Sequence, residues 1–209
     1  MKQTEANALN TFVNTVKSAV PEFLDAMDAA QLEAAARLIS EAKAHGKRLH
    51  VSGIGKPAHL AGYIASLLSS TGTPCYFLHG TEAVHGSCGQ LVPGDVVIFI
   101  SNSGETAEMR AAVSAVKNNG CAVIGVSGNH DSWLARESAV HLYAGVTAEG
   151  GPLNRAPRMS VLAETLVLQA LSVILQEQAD VTPQQYVRWH PGGKLGRLRA
   201  DERETDEKR

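Results

Sequence analysis

The chain has 209 residues, 44% of them apolar and 19% charged, with a formal net charge of −2. That balance describes a globular, soluble chain long enough for one α/β domain, and it removes the electrostatic case for nucleic acid or an acidic membrane surface as partner. No apolar run is read as long enough to cross a bilayer, residues 1–6 carry no hydrophobic signal core, and Cys75, Cys88 and Cys121 lack paired spacing. The cysteines read as buried reduced thiols rather than a disulfide or zinc set, and the cytoplasm is the expected compartment.

Residues 7–20 set Leu9, Phe12, Val13, Val16 and Val20 on one helical face, and Pro21 is expected to break that helix. Residues 23–44 resume as a second amphipathic helix, closed by Gly46. These N-terminal helices, 1–46, are expected to pack on the domain that follows, 47–200. Strands at 48–52, 75–78, 96–101, 122–127 and 140–144 alternate with helices at 57–70 and 106–119 and a short turn near 132–136. The alternation predicts an α/β fold, a parallel sheet with helices on both faces. Residues 158–178 form a long helix whose apolar residues, Val161 to Leu175, cover most of its circumference. Such a helix is central to the core or shared with a partner subunit, and with the N-terminal pair it favours a homo-oligomer. Residues 201–209 are a mixed-charge tail, expected to be disordered.

The most informative stretch is Ser101-Asn102-Ser103-Gly104-Glu105-Thr106, between an apolar strand and a helix start. Backbone N–H groups and the positive helix end face such a turn, and Ser101, Ser103 and Thr106 add hydroxyl donors. That combination suits a phosphate monoester. An ordinary serine-capped turn is the plainer reading, but three hydroxyls exceed what one cap needs. Gly53-Ile54-Gly55-Lys56-Pro57-Ala58 also joins a strand to a helix. It meets the loose dinucleotide fingerprint, yet the next strand ends without the acidic residue that holds a ribose. Close backbone approach to a small ligand, with Lys56 at the strand's carboxyl end, reads better.

His79, Glu82 and His85 fall within eight residues without a justified zinc spacing, so acid–base work or hydroxyl recognition is preferred to a metal, and two satisfied loop histidines remain the plainer alternative. Glu105 fits dipole compensation at a helix start, whereas Glu108 is a candidate to turn toward the ligand. Glu149 follows the fifth strand and is expected at the same sheet edge. His190, in Trp189-His190-Pro191-Gly192-Gly193-Lys194, sits in a backbone fixed by proline and glycines, which suits proton transfer.

The segments 53–59, 70–86, 96–108 and 190–196 together resemble the sugar isomerase (SIS) domain of bacterial D-arabinose 5-phosphate isomerases. Gly-x-Gly-Lys, Ser-Thr-Gly-Thr-Pro, His-Gly, Ser-Asn-Ser-Gly-Glu and His-Pro-Gly-Gly occur here in that family's order. The resemblance implies a three-layer α/β sandwich around a five-stranded parallel sheet, built as a homotetramer with sites at subunit interfaces. It implies that Gly55, Ser101, Asn102, Ser103, Gly104 and Thr106 bind a sugar phosphate, and that Lys56, His85, Glu108, Glu149 and His190 are the catalytic set. It also implies the single-domain form, without the CBS regulatory pair. Pro57, Ser87 and Arg158 stand where the family usually carries Ser, Asp and Thr.

The implied reaction interconverts an aldose and a ketose phosphate through a cis-enediol, with neither metal nor redox cofactor required. Glu149 or His190 is the candidate base, Glu108 and His85 are candidates for proton relay or ring opening, and Lys56 polarises the carbonyl. Two other classes stay open: an isomerase or lyase on another phosphosugar, kept alive by Arg155 and Arg158, and a non-catalytic phosphosugar sensor. Against the sensor stand the full titratable set and the lack of a DNA-binding helix pair.

Overall fold

The structure is a computed structural model that describes residues 1–204. Helix α1 spans Gln3–Asp25 and α2 spans Ala29–Ala44. The expected break at Pro21 is absent, because α1 runs through Pro21 for one further turn. An interior proline costs a helix roughly 3 kcal/mol. Here the last turn carries Phe23, the one buried residue of α1, so tertiary burial holds what local propensity disfavours. The chain breaks instead at 26–28, where the Asp28 carboxylate accepts the Ala30 and Gln31 amides at 2.9 and 3.1 Å and caps α2.

Five parallel strands follow: β1 (Leu49–Gly53), β2 (Cys75–Phe77), β3 (Val96–Ile100), β4 (Ala122–Ser127) and β5 (Val140–Tyr143). Their order is β2-β1-β3-β4-β5, the α/β sheet that the sequence pattern predicts. Central β3 shows why its run is apolar throughout. Val96, Ile98 and Ile100 enter one core and Val97 and Phe99 the other, all at 1% exposure or less. Each such burial contributes roughly 1.5–3 kcal/mol.

One face is covered by α2, α3 (Lys56–Ser70) and, later in the chain, α6 (Met159–Gln178). The other is covered by α4 (Ala107–Asn118) and α5 (Trp133–Glu137). By length and composition α6 is apolar enough to cross a membrane, with mean hydropathy 1.6 over an 18-residue window, which corrects the reading that no run reaches that length. Half of that window is buried inside the protein, where α6 packs against α1, α2 and α3. The sequence pattern does not announce α7 (Pro183–Trp189), although its capping box, Thr182 with Gln185, and Pro183 in the first turn are readable signals. A short α8 (Ala200–Glu204) occupies the start of the segment expected to be disordered. The rest of that tail, 205–209, lies outside the described residues.

Candidate active site

Strand order 2-1-3-4-5 reverses between β1 and β3. The crevice outside their carboxyl ends is therefore the topological switch point, where open α/β sheets bind ligands. The register pairs Gly53 of β1 with Ile100 of β3, so the loop holding Gly55 and Lys56 and the loop 101–106 leave the sheet side by side.

The first loop is shaped by its glycines. A Cβ on Gly53 would lie 2.8 Å from the Pro57 carbonyl carbon, which only glycine avoids. Gly55 stands at φ +68° and ψ −128° ahead of α3, a conformation that L side chains avoid. Lys56 opens α3 with its side chain exposed and makes no ion pair among the described residues.

The second loop is braced from within. Gly104 N–H donates to both the carbonyl oxygen and the Oγ of Ser101, at 3.0 and 3.2 Å. Glu105 N–H donates to Ser103 Oγ at 3.2 Å. Ser101 is 6% exposed, so its hydroxyl first staples the turn and still has its proton to donate. Ser103 is exposed, and Thr106, half-buried, precedes α4 without a capping bond from its own hydroxyl. The Ser103 and Thr106 hydroxyls thus stand just ahead of α4, at the positive end of the helix. Asn102 and Gly104 fix the loop to its neighbours. The Asn102 carbonyl accepts Gly128 N–H at 2.8 Å, and the Gly104 carbonyl accepts Leu134 N–H at 3.0 Å. Ser132 packs against Gly104 and joins Ser127 Oγ at 3.0 Å, which in turn meets His141 Nε2 at 2.8 Å. Burial, then neighbouring His130, pushes the His141 imidazole below its ordinary value.

Glu105 does what a carboxylate at a helix head is expected to do, and more. It pairs with Arg110 and accepts Trp133 N–H at 2.8 Å, tying α4 to α5. Glu108 is exposed in the first turn of α4. His85 ends a 3-10 turn, Glu82–His85, that packs against α4 and leaves its ring exposed. His79 Nδ1 accepts the Glu82 amide at 3.3 Å, which satisfies that ring locally. Among the described residues no three His, Cys, Asp or Glu side chains gather as a metal site.

Glu149 is half-buried in the loop between β5 and α6, and its Oε2 accepts Arg158 N–H at 2.6 Å and Ser160 N–H at 3.2 Å. The carboxylate therefore caps α6. Asn154 Oδ1 braces the loop by accepting the Glu149 and Gly150 amides at 2.7 and 3.2 Å. Arg158 lays its guanidinium against Gly151, and Arg155 is exposed. Helices α3 and α6 both start at this edge and run side by side. Gln169 donates to Tyr63 Oη at 3.0 Å. Tyr63 lies about two turns into α3 and Gln169 about three turns into α6, so the two helix heads stand within about one turn of each other. Lys56 and Glu149 thereby lie at the heads of neighbouring helices.

His190 does not join them within one chain. Its ring stacks on Tyr186 at 4.1 Å, and its Nδ1 lies 2.8 Å from the Tyr186 carbonyl oxygen. Its neighbour Trp189 lies against Gly72 and lines a cavity with Pro74, Cys75 and Tyr76. Those residues lead into β2, so His190 lies near the amino edge of the sheet, opposite the loop 101–106.

One group near the site escapes the sequence pattern. Glu164, at 0% exposure on α6, has neither oxygen hydrogen-bonded, and Ser160 Oγ one turn away is also unpartnered. Burial first, and then the Glu149 charge, pushes the Glu164 carboxyl up to about 8. A carboxylate in the first half of a helix whose neighbouring turns are mostly apolar is the signal that would have found it.

Comparison with known proteins points to one family. The SIS domain model matches residues 43–174. The arabinose 5-phosphate isomerase KdsD of Pseudomonas aeruginosa is 41% identical over 150 residues, which cover 72% of this chain and 46% of that protein. The arabinose 5-phosphate isomerase KpsF of Escherichia coli O6:H1 is 37% identical over 171 residues, 82% of this chain and 51% of that protein. The chain thus spans about half the length of the curated relatives it matches. A solved structure from E. coli CFT073, in complex with arabinose 5-phosphate, superimposes with a TM-score of 0.80 at 34% identity, covering 91% of this chain and 100% of that one.

Proposed function

This chain belongs to the SIS domain family, and from that premise we propose that it is an aldose–ketose isomerase, interconverting D-arabinose 5-phosphate and D-ribulose 5-phosphate through a cis-enediol. The observation that carries the reading is the switch-point crevice, flanked by Gly55 and Lys56 on one side and the hydroxyl loop 101–106 on the other. A dianionic ester at the head of α4 receives amide, Ser103 and Thr106 donors, with Ser101, Asn102 and Gly104 holding the loop in shape. Anchoring the ester fixes the reacting carbons relative to the rim.

At that rim Glu149 is the base for the C2 proton. Its carboxylate is oriented by two amides through one oxygen, which leaves the other free to take the proton. Lys56, without an ion-pair partner among the described residues, polarises the carbonyl and stabilises the enediolate. Glu108 and His85, exposed on neighbouring elements, relay protons or open the sugar ring.

His190 enters the site from another copy of the chain. Its distance from its own loop 101–106 supports that, as do Leu9 and Leu24 of α1, about half exposed on the apolar side of that helix. A homotetramer with sites between subunits is the matching assembly. Three buried free cysteines, Cys75 and Cys121 among them pushed up to about 12 and 11 by burial, fit a reducing compartment such as the cytoplasm.

A coupled assay over a panel of pentose and hexose phosphates tests the reading. Conversion of arabinose 5-phosphate is expected. Turnover of another phosphosugar alone would replace the substrate, and saturable binding without turnover of any would favour a sensor.

A further inference from the structure

Ser160 and Glu164 lie one turn apart on the same side of α6, both at 0% exposure, and three of their side-chain oxygens have no hydrogen-bond partner. Glu149 adjoins that side: its Oε2 holds the Ser160 amide, and its charge acts on Glu164. The buried residues of α1, α2 and α3, which pack on α6, are all apolar, and the charged residues and His59 of those three helices are exposed. Lys56 and Arg158, at the heads of α3 and α6, are exposed. An unpaired carboxyl in such surroundings is costly where leucine would pack, and it holds its proton at neutral pH.

We propose that Glu164 is a positioning residue that acts through Glu149. While neutral it leaves Glu149, among the described residues, the single negative side chain at the head of α6. When it ionises, a second negative charge behind the crevice opposes both the sugar-phosphate anion and the enediolate. The inference rests on the isomerase reading above.

The test is the pH dependence of kcat and KM for arabinose 5-phosphate with the full chain. In the wild type kcat/KM is expected to fall about tenfold above about pH 8, the coupling typical of adjacent carboxyls. Glu164→Gln removes that fall, and Glu164→Asp, which keeps the acid, retains it. Glu164→Met, apolar and similar in length, serves the same purpose should the amide variant not fold, and it is expected to lack the fall as well. An alkaline limb unchanged in these neutral variants overturns the proposal. An infrared band of a protonated carboxyl, present in the wild type at pH 7 and missing in Glu164→Gln, is expected independently of turnover, and its absence from the wild type also overturns it. Wild-type protein inert at every pH would overturn the isomerase reading and this inference together, whereas active protein with an unchanged limb overturns this inference alone.

Discussion

Replacing Glu164 by glutamine separates the cost of burying a carboxyl from every other acid–base effect in the fold. The Glu164 carboxyl moves from its ordinary 4.5 to about 8 in the folded protein, chiefly through burial. A gap of about 3.5 pH units at 1.36 kcal/mol each is about 5 kcal/mol. The sign follows from proton counting. Between about pH 4.5 and 8 the unfolded chain has released this proton while the folded chain retains it, so stability falls by about 1.4 kcal/mol per pH unit as pH rises. The penalty is absent below the lower limit and complete above the upper one. Glutamine cannot ionise and escapes it. Urea unfolding of both proteins at about pH 5, 6.5 and 8.5, at constant ionic strength and with m-values checked, gives the difference directly. Other titrating groups, including His50 and His141, both pushed down chiefly by burial, cancel in the subtraction. The variant is expected to gain steadily on the wild type, by about 5 kcal/mol at the top of the range. A difference that stays constant with pH would refute the reasoning.

The hydroxyl loop predicts that Ser103→Ala and Thr106→Ala each raise KM for the sugar phosphate about tenfold, the worth of one hydrogen bond to a charged group; steady-state kinetics with unchanged KM would remove these residues from the anchor. Gly53→Ala pushes a Cβ to 2.8 Å from the Pro57 backbone, and it should cost roughly 1–3 kcal/mol in thermal unfolding together with most of the turnover. Mixing inactive Lys56→Ala with inactive His190→Asn protein should restore part of the activity if the crevice borrows His190 from another copy. No recovery after subunit exchange would place all functional groups on one chain.

The centre of the sheet was legible because β1 and β3 are buried on both faces, so Val96 to Ile100 reads as an unbroken apolar run too short for a helix. The hydroxyl loop was legible because strand, glycine turn and helix start follow one another in the sequence, and local order there is spatial order. Pro21 misled because propensity acts locally, whereas Phe23 is held by residues far along the chain. His190 lies away from the loop 101–106 of its own copy for a geometric reason. The 20 residues of α6 carry the chain from one edge of the sheet to the other, about 30 Å, so a motif placed after α6 cannot share an edge with one placed before it in the same copy. Glu164 was passed over because an apolar periodicity absorbs a single exception, and only burial with no partner makes that exception informative.

Proton NMR of arabinose 5-phosphate incubated with the protein in deuterated water tests the central claim most directly. An enediol held over the crevice and reprotonated by groups open to solvent predicts ribulose 5-phosphate formation together with deuterium at C2 of the recovered aldose, both lost in Glu149→Gln. A sugar whose resonances remain unchanged, or a ketose formed equally well by Glu149→Gln, would contradict it.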